Sequence, residues 1–309
     1  MSNYRTYREF MLEHYGEQLQ RIPIDPGFGC PNRDINGKGG CTFCAEDGGR
    51  AIQTQKAGNW REQISTAIEF ARDRYGARRF IGYVQAYSGS FAVPGELNKF
   101  FSEVLAYARF EAFIIGTRPD CLPPATLALL KKLAERTELW IELGIQTARN
   151  ATLERINRGH TWEQSREAVL RLHNAGIKCT AHLIFGLPGE DENDFRHSSE
   201  AVAALPVSGI KFHNLHIIKG TALADEFMKN PFPVMDEHDY AEVLIDAISR
   251  MPPHIPIMRL QSDTPAERLI APHWQMKKGQ FADYLALQLR KRNIHQGDLY
   301  KNNNPSTDG

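Results

Sequence analysis

Three cysteines near the N-terminus, Cys30, Cys41 and Cys44, have the types and spacing to hold a metal centre. Three thiolates hold a cubic 4Fe–4S cluster with one iron left open to a substrate or cofactor, whereas electron-transfer clusters normally take four. The loop suits that use: Gly27, Gly29, Gly37, Gly39 and Gly40 let the backbone turn sharply and approach a cluster, and Phe43 would shield it from water. A structural zinc knot is the alternative, with Cys41 and Cys44 as a CxxC pair and Cys30 and a histidine completing the tetrahedron. Spacing alone does not choose between them.

Composition narrows the field. The chain has 309 residues, long for one ordinary domain and normal for an α/β barrel. Lys plus Arg and Asp plus Glu are 37 each, so no global basic field argues for nucleic acid, although a local patch remains open. No apolar run is long enough to span a bilayer, and the start lacks the apolar core of a signal peptide, so a cytoplasmic protein with no membrane partner is expected. Five cysteines, three of them clustered, fit a reducing compartment better than a disulfide framework. Cys121 and Cys179 are too few for a second cluster and read as small buried hydrophobes.

The elements that must position the cysteines follow from periodicity. Residues 4–20 read as an amphipathic lead-in helix, and 21–25 as a short strand delivering the cysteine loop at its C-terminal end. Apolar runs at 79–86, 112–117, 139–147, 177–187 and 209–218 alternate with helical segments at 60–75, 94–108, 124–135, 161–175 and 192–204. Strand–helix alternation of this kind implies parallel strands joined by crossovers, hence an α/β fold; six units make a partial (β/α)6 barrel. Gly176 is a C-terminal stop for the fourth of those helices. Past 218 prolines punctuate the chain, leaving a helix at 237–250, a possible strand at 257–260 and a helix at 280–292. The division expected is an N-terminal helix (1–20), a barrel (21–218), a mostly helical C-terminal extension (219–301) and a disordered polar tail (302–309).

Polar residues collect where strands meet their following loops, the catalytic face of parallel barrels. Gln85, Tyr87 and Ser88 end the second strand, Thr117, Arg118 and Asp120 the third, and the segment from Gly186 and Leu187 to Glu190 the fifth; the sixth carries His213 and His216. Alternation puts Glu142, Gly144 and Gln146 on one face of the fourth strand. A carboxylate inside a barrel needs a partner: either a ligand bearing hydroxyls and an amine, or a salt bridge with Arg118 or Arg158.

The combination resembles the radical S-adenosylmethionine (SAM) enzymes, whose six-unit partial barrel opens with a three-cysteine cluster loop; the match runs from about Arg21 to about Ile218. The gap between Cys30 and Cys41 is wider than the commonest spacing and resembles the group of the Elongator catalytic subunit, a transfer RNA modification enzyme, and the bacterial YhcC-like or YtqA-like family. Thr117-Arg118-Pro119-Asp120, Glu142 to Gln146, Asn157 to Thr161 and Gly186 to Gly189 look like the Elongator pattern in the same order. The resemblance implies that Cys30, Cys41 and Cys44 ligate a 4Fe–4S cluster and that SAM chelates its open iron. It also implies that Gln85, Tyr87 and Ser88 contact the SAM methionine moiety, Glu142 and Gln146 its ribose and methionine ends, and Ile184, Gly186 and Leu187 its adenine. Reductive cleavage of SAM to a 5′-deoxyadenosyl radical would follow, fed by a donor such as flavodoxin or ferredoxin. Zinc and a catalytically silent iron–sulfur protein are then disfavoured, since neither needs SAM-like strand ends.

The Elongator-like segments point to transfer RNA and the wobble-uridine side chain. Arg158, His160, Lys277, Lys278 and Arg290 to Arg292 are candidate phosphate contacts. Only about ninety residues follow Ile218, so remodelling of a pre-installed side chain is expected rather than a reaction needing acetyl-CoA in the same chain. The alternative is a small metabolite or cofactor precursor, with His182, His213 and His216 as pocket groups. The catalytic residue is not assigned by the sequence.

Overall fold

The structure, a computed structural model, describes residues 2–34, 36–50 and 58–301; the expected disordered tail at 302–309 lies outside them. Strands β1 (Gln20–Ile24), β2 (Phe80–Val84), β3 (Ala112–Thr117), β4 (Glu138–Gln146), β5 (Lys178–Phe185), β6 (Gly209–Asn214) and β8 (Ile257–Arg259) form one sheet in the order β1-β2-β3-β4-β5-β6-β8, with every pair parallel. It curls into a half-barrel. Helices α2 (Trp60–Tyr75), α3 (Pro94–Tyr107), α4 (Pro124–Ala134), α6 (Trp162–Asn174) and α7 (Glu192–Ala203) supply the crossovers. The expected partial barrel is therefore present, with one strand more than the six units read from the sequence.

Each strand splits its side chains between two faces. Ile22, Val84, Phe113, Ile141, Leu183 and Phe212 enter the core under the helices. The opposite parity faces the barrel interior, where its lower end is closed by α1 (Tyr7–Tyr15): Met11 and Leu19 cluster with Ile81, Ala112, Ile114 and Trp140. That helix is shorter than the 4–20 expected, because Thr6 and Glu9 form a capping box and Gly16 (φ 78°) ends it. Thr161 and Gln164 cap α6 in the same way, and Gly176 (φ 70°) follows its end.

The sixth apolar run ends sooner than its hydrophobicity suggested. At Asn214 the side chain accepts from Ser262 N (2.9 Å) and the carbonyl from Ser262 Oγ (2.6 Å), which takes the chain out of the sheet. Ile217–Ile218 becomes a separate strand β7, antiparallel to β9 (Leu269–Ala271). Two helices had no periodic signal, α5 (Asn150–Arg155) and α8 (Ala222–Lys229); α9 (Glu237–Arg250) and α10 (Lys278–Lys291) complete the C-terminal part. Among the described residues no helix is long and apolar enough to cross a membrane.

Candidate active site

The cysteine loop follows β1 and lies across the C-terminal mouth of the half-barrel. Gly37, Gly39 and Gly40 have φ of 75°, 87° and 98°, a backbone region that side chains resist. The loop is clamped by the segment after α5. Asn157, itself left-handed (φ 50°), donates from Nδ2 to Gly40 O (2.8 Å), and Ile156 O accepts from Thr42 N (2.9 Å). Gly159 (φ 74°) must be glycine for two reasons: a Cβ there would lie 2.8 Å from Asn32 Oδ1 and 3.0 Å from Arg118 Nη2. The Asn157-Arg158-Gly159-His160 motif thus builds the wall against which the cluster loop is folded.

Donors converge on one thiol. Arg158 Nη1 donates to Cys41 Sγ at 3.4 Å while Nη2 donates to Gly144 O at 2.7 Å; Asn32 Nδ2 reaches the same sulfur at 3.6 Å. Arg118 Nη1 stands 3.9 Å away, its Nε and Nη2 held by both Asp120 oxygens at 2.9 Å. Both guanidiniums are buried. Two buried guanidiniums and an amide aimed at one sulfur are a donor set suited to a metal-bound sulfur. At Cys44 burial and the neighbouring Cys41 push the thiol up, against the pull of Arg33. Fixed cations and donors to sulfur on a glycine-rich loop fit an iron–sulfur cluster. Among the described residues no group of three or more His, Cys, Asp or Glu side chains, the three loop cysteines included, is already drawn together around a metal position. Cys121 and Cys179 are buried, as expected of small hydrophobes.

Backbone strain gathers at this mouth. Ala86 (φ 87°), Tyr87 (φ 50°) and Gln146 (φ 76°) sit where β2 and β4 end, and the β4–β5 register slips between Gly144 and Gln146. Beside them opens a cavity of about 830 Å³, walled on one side by Phe43 and Cys44 and on the other by Ile184, His213, His216 and Arg259. Of the residues matched to the cluster and SAM, Cys44 and Ile184 line this cavity. Tyr87 instead donates from its hydroxyl to Glu46 O (2.6 Å) and packs over Gly48. Ser88 is fully buried and bonds Thr117 Oγ1 at 2.7 Å, tying the ends of β2 and β3 together. Gln85 N continues the β1 ladder to Ile24 O (3.1 Å). Gly186 (φ 91°) packs toward Met235, and Leu187 lies in an apolar cluster with Leu215 and Leu223.

Below the mouth the barrel interior is charged. Glu142 contacts Lys211 Nζ directly, accepts from Tyr83 OH at 2.7 Å and has His182 Nε2 at 3.4 Å; Glu142 and Lys211 are both buried. Of the two partners open for Glu142, the salt bridge with Arg118 or Arg158 is corrected: those arginines serve Asp120, Gly144 O and Cys41, while a lysine on β6 takes the carboxylate. Burial works against the ionised Glu142, but Lys211 and then His182 outweigh it and hold its pKa well below the usual carboxylate range. Burial pushes Lys211 well below the usual lysine range while Glu142 pulls it back; with the two in direct contact, the charged pair is the state this packing favours. His182 and His213 stack at 5.3 Å, and burial lowers His182 to about 4. Lys211 escaped the sequence reasoning, although a lysine two residues before His213 in an apolar strand was the available signal. Arg259 lies in the possible strand at 257–260, but nothing local tied that strand to the barrel mouth. Arg158 and His160 are buried, so the expectation that they contact phosphates is also corrected.

Comparison with known proteins agrees with this geometry. Residues 24–202 match the model of the radical SAM superfamily, and 207–291 that of the radical SAM C-terminal domain. The chain is 34% identical to Bacillus subtilis YtqA over 303 residues, covering 96% of this chain and 93% of YtqA. It is 31% identical to the Methanocaldococcus jannaschii tRNA uridine(34) acetyltransferase over 166 residues, 52% of this chain and 30% of that protein. The fold superposes on an N-terminally truncated Elp3 of Methanocaldococcus infernus with a TM-score of 0.71 at 19% identity, covering 90% of this chain and 64% of that one. With its family model spanning more than half of the chain, the protein belongs to the radical SAM superfamily, enzymes that bind a 4Fe–4S cluster and SAM.

Proposed function

We propose that the protein uses SAM reductively to modify transfer RNA at the wobble-uridine side chain, in the cytoplasm, drawing electrons from a flavodoxin or ferredoxin. The observation that carries the reading is the cysteine loop, with Arg158 and Arg118 fixed at Cys41, placed beside a cavity of about 830 Å³ at the barrel mouth. Cys30, Cys41 and Cys44 would hold the cluster. When bound, the cluster would supply one electron for reductive cleavage of a carbon–sulfur bond at the SAM sulfonium. The chain's own residues do the rest. Arg158 fixes Cys41 to Gly144 O on β4, Tyr87 fixes the neighbouring loop through Glu46 O, and Phe43 excludes water from the cavity side. Gln146 at the β4 bulge and Ile184 on the cavity wall are the remaining SAM contacts we favour. The barrel at 21–218 and the extension at 219–301 are proposed as one functional unit, because β8 of the extension completes the sheet and Arg259 completes the cavity.

The RNA part rests on the kinship with the tRNA uridine(34) acetyltransferase, which spans 52% of the chain, and a flipped base suits a cavity of this size. The test is anaerobic reconstitution with iron and sulfide, then dithionite and SAM with bulk transfer RNA from cells lacking the gene, following 5′-deoxyadenosine and nucleosides by mass spectrometry. RNA-dependent 5′-deoxyadenosine with a uridine mass change supports the proposal, and binding should weaken steeply with salt. SAM cleavage without any nucleoside change would move the substrate to a small molecule; no cleavage, or cleavage surviving Cys30→Ala, would overturn the reaction itself.

A further inference from the structure

The half-barrel does not close between its edge strands β1 and β8, and a second cavity of about 410 Å³ opens there. Arg21 of β1, Arg259 of β8 and Lys278 at the start of α10 line it together with Tyr4, Thr6 and Gln261; no Asp or Glu does. The charges there are poorly matched. Arg21 lies over the rings of Tyr7 (4.8 Å) and Tyr83 (5.4 Å), with Nε and Nη2 lacking any hydrogen-bond partner. Arg259 makes no side-chain hydrogen bond or ion pair among the described residues. Lys278 shares Asp263 at 3.0 Å, but both side chains are exposed and the pair is screened. Nearby carboxylates are committed elsewhere: Glu142 serves Lys211 and Tyr83, and Glu9 is taken by Thr6 N and Oγ1. Gln261, only 9% exposed, leaves its Oε1 unpartnered; rotating that amide would present a donor instead.

Unpaired cations inside a protein are costly unless an anion joins them. We propose that this seam cavity is a binding site for a phosphate group, held by Arg21, Arg259 and the Gln261 amide with Lys278 at its rim. Two guanidiniums that make no direct ion pair, Arg21 feeling the Glu142 carboxylate without contacting it, suit a doubly charged oxyanion, whereas a carboxylate would balance one of them. The α10 N-terminus adds the positive end of a 14-residue helix. Arg259 also borders the mouth cavity, so an occupant would sit one side chain away from it. The site stands independently of the reaction proposed above.

Calorimetric titration of the full, cluster-loaded chain with inorganic phosphate at fixed ionic strength tests it. One saturable site is expected, weakened at least tenfold in Arg259→Gln and two- to threefold in Lys278→Gln. In case Arg259→Gln misfolds, phenylglyoxal labelling of the unaltered protein provides a second readout: phosphate should slow modification of Arg259 but not of exposed Arg109. Absence of saturable binding, unchanged affinity in a folded Arg259→Gln, or equal protection of Arg109 would overturn the site. Competition by glycerol phosphate would assign a small phosphorylated ligand, and stronger competition by a short RNA would assign a backbone phosphate. Acetate competing as well as phosphate would overturn the phosphate assignment.

Discussion

Arg158 and Gly159 carry most of the organisation of the cysteine loop in two adjacent residues. Arg158 joins Cys41 to the β4 backbone through one guanidinium, and its Nε has no partner. Losing the positive charge beside a cluster thiolate should make the cluster harder to reduce. Arg158→Gln is therefore expected to shift the midpoint potential of the reconstituted protein downward in an EPR-monitored redox titration; an unchanged potential would remove Arg158 from the cluster environment. Gly159→Ala has a different consequence. A left-handed alanine costs about 1–2 kcal/mol, and its Cβ would also strike Asn32 and Arg118, so the wall moves away from the loop. Iron retained per chain should fall several-fold with circular dichroism unchanged.

At the scale of elements, the inward faces of β2, β4, β5 and β6 share one carboxylate among Tyr83, His182 and Lys211. Removing one partner of a buried pair costs about 3–5 kcal/mol, because the other charge is left alone, whereas replacing both is often close to neutral. Lys211→Met should thus lower unfolding free energy by that order in urea, and adding Glu142→Leu should restore most of it. An additive double variant would show that the two do not act as a pair. The inward parity of Glu142, Gly144 and Gln146 was legible in β4 alone, since alternation is local. Its partner was not: which cation meets Glu142 depends on the curl and register of strands far apart in sequence, and the apparent candidates Arg118 and Arg158 were drawn to Asp120 and the cysteine loop. The loop cysteines were legible for the opposite reason, being close in sequence. The far wall of the mouth cavity, from Ser262 to Arg268, had no periodicity to reveal it.

For the whole molecule, these buried polar groups set a pH window. His160, His182 and His216 are each lowered from 6.5 to about 4, mainly by burial. The folded state then binds fewer protons than the unfolded state between about pH 6.5 and pH 4, so stability must fall as pH falls through that range. Glu190 opposes them. Burial raises it to about 7, despite the Thr147 hydroxyl, so the folded state holds a proton that the unfolded state releases above about pH 4.5. Its contribution weakens the fold as pH rises toward 7. His213 is lowered further still by burial, and four histidines against one glutamate leave a net uptake of protons on unfolding. Denaturation midpoints should therefore drop from pH 6.5 to pH 4 ahead of most carboxylate titration. In Glu190→Gln the drop should be steeper, and the variant should gain about 1–2 kcal/mol relative to the parent on going from pH 5 to pH 8, discounted from the full shift for partial exposure. A parallel pH profile for the two proteins would mean that Glu190 is ionised in the folded state and that its burial does not hold the proton.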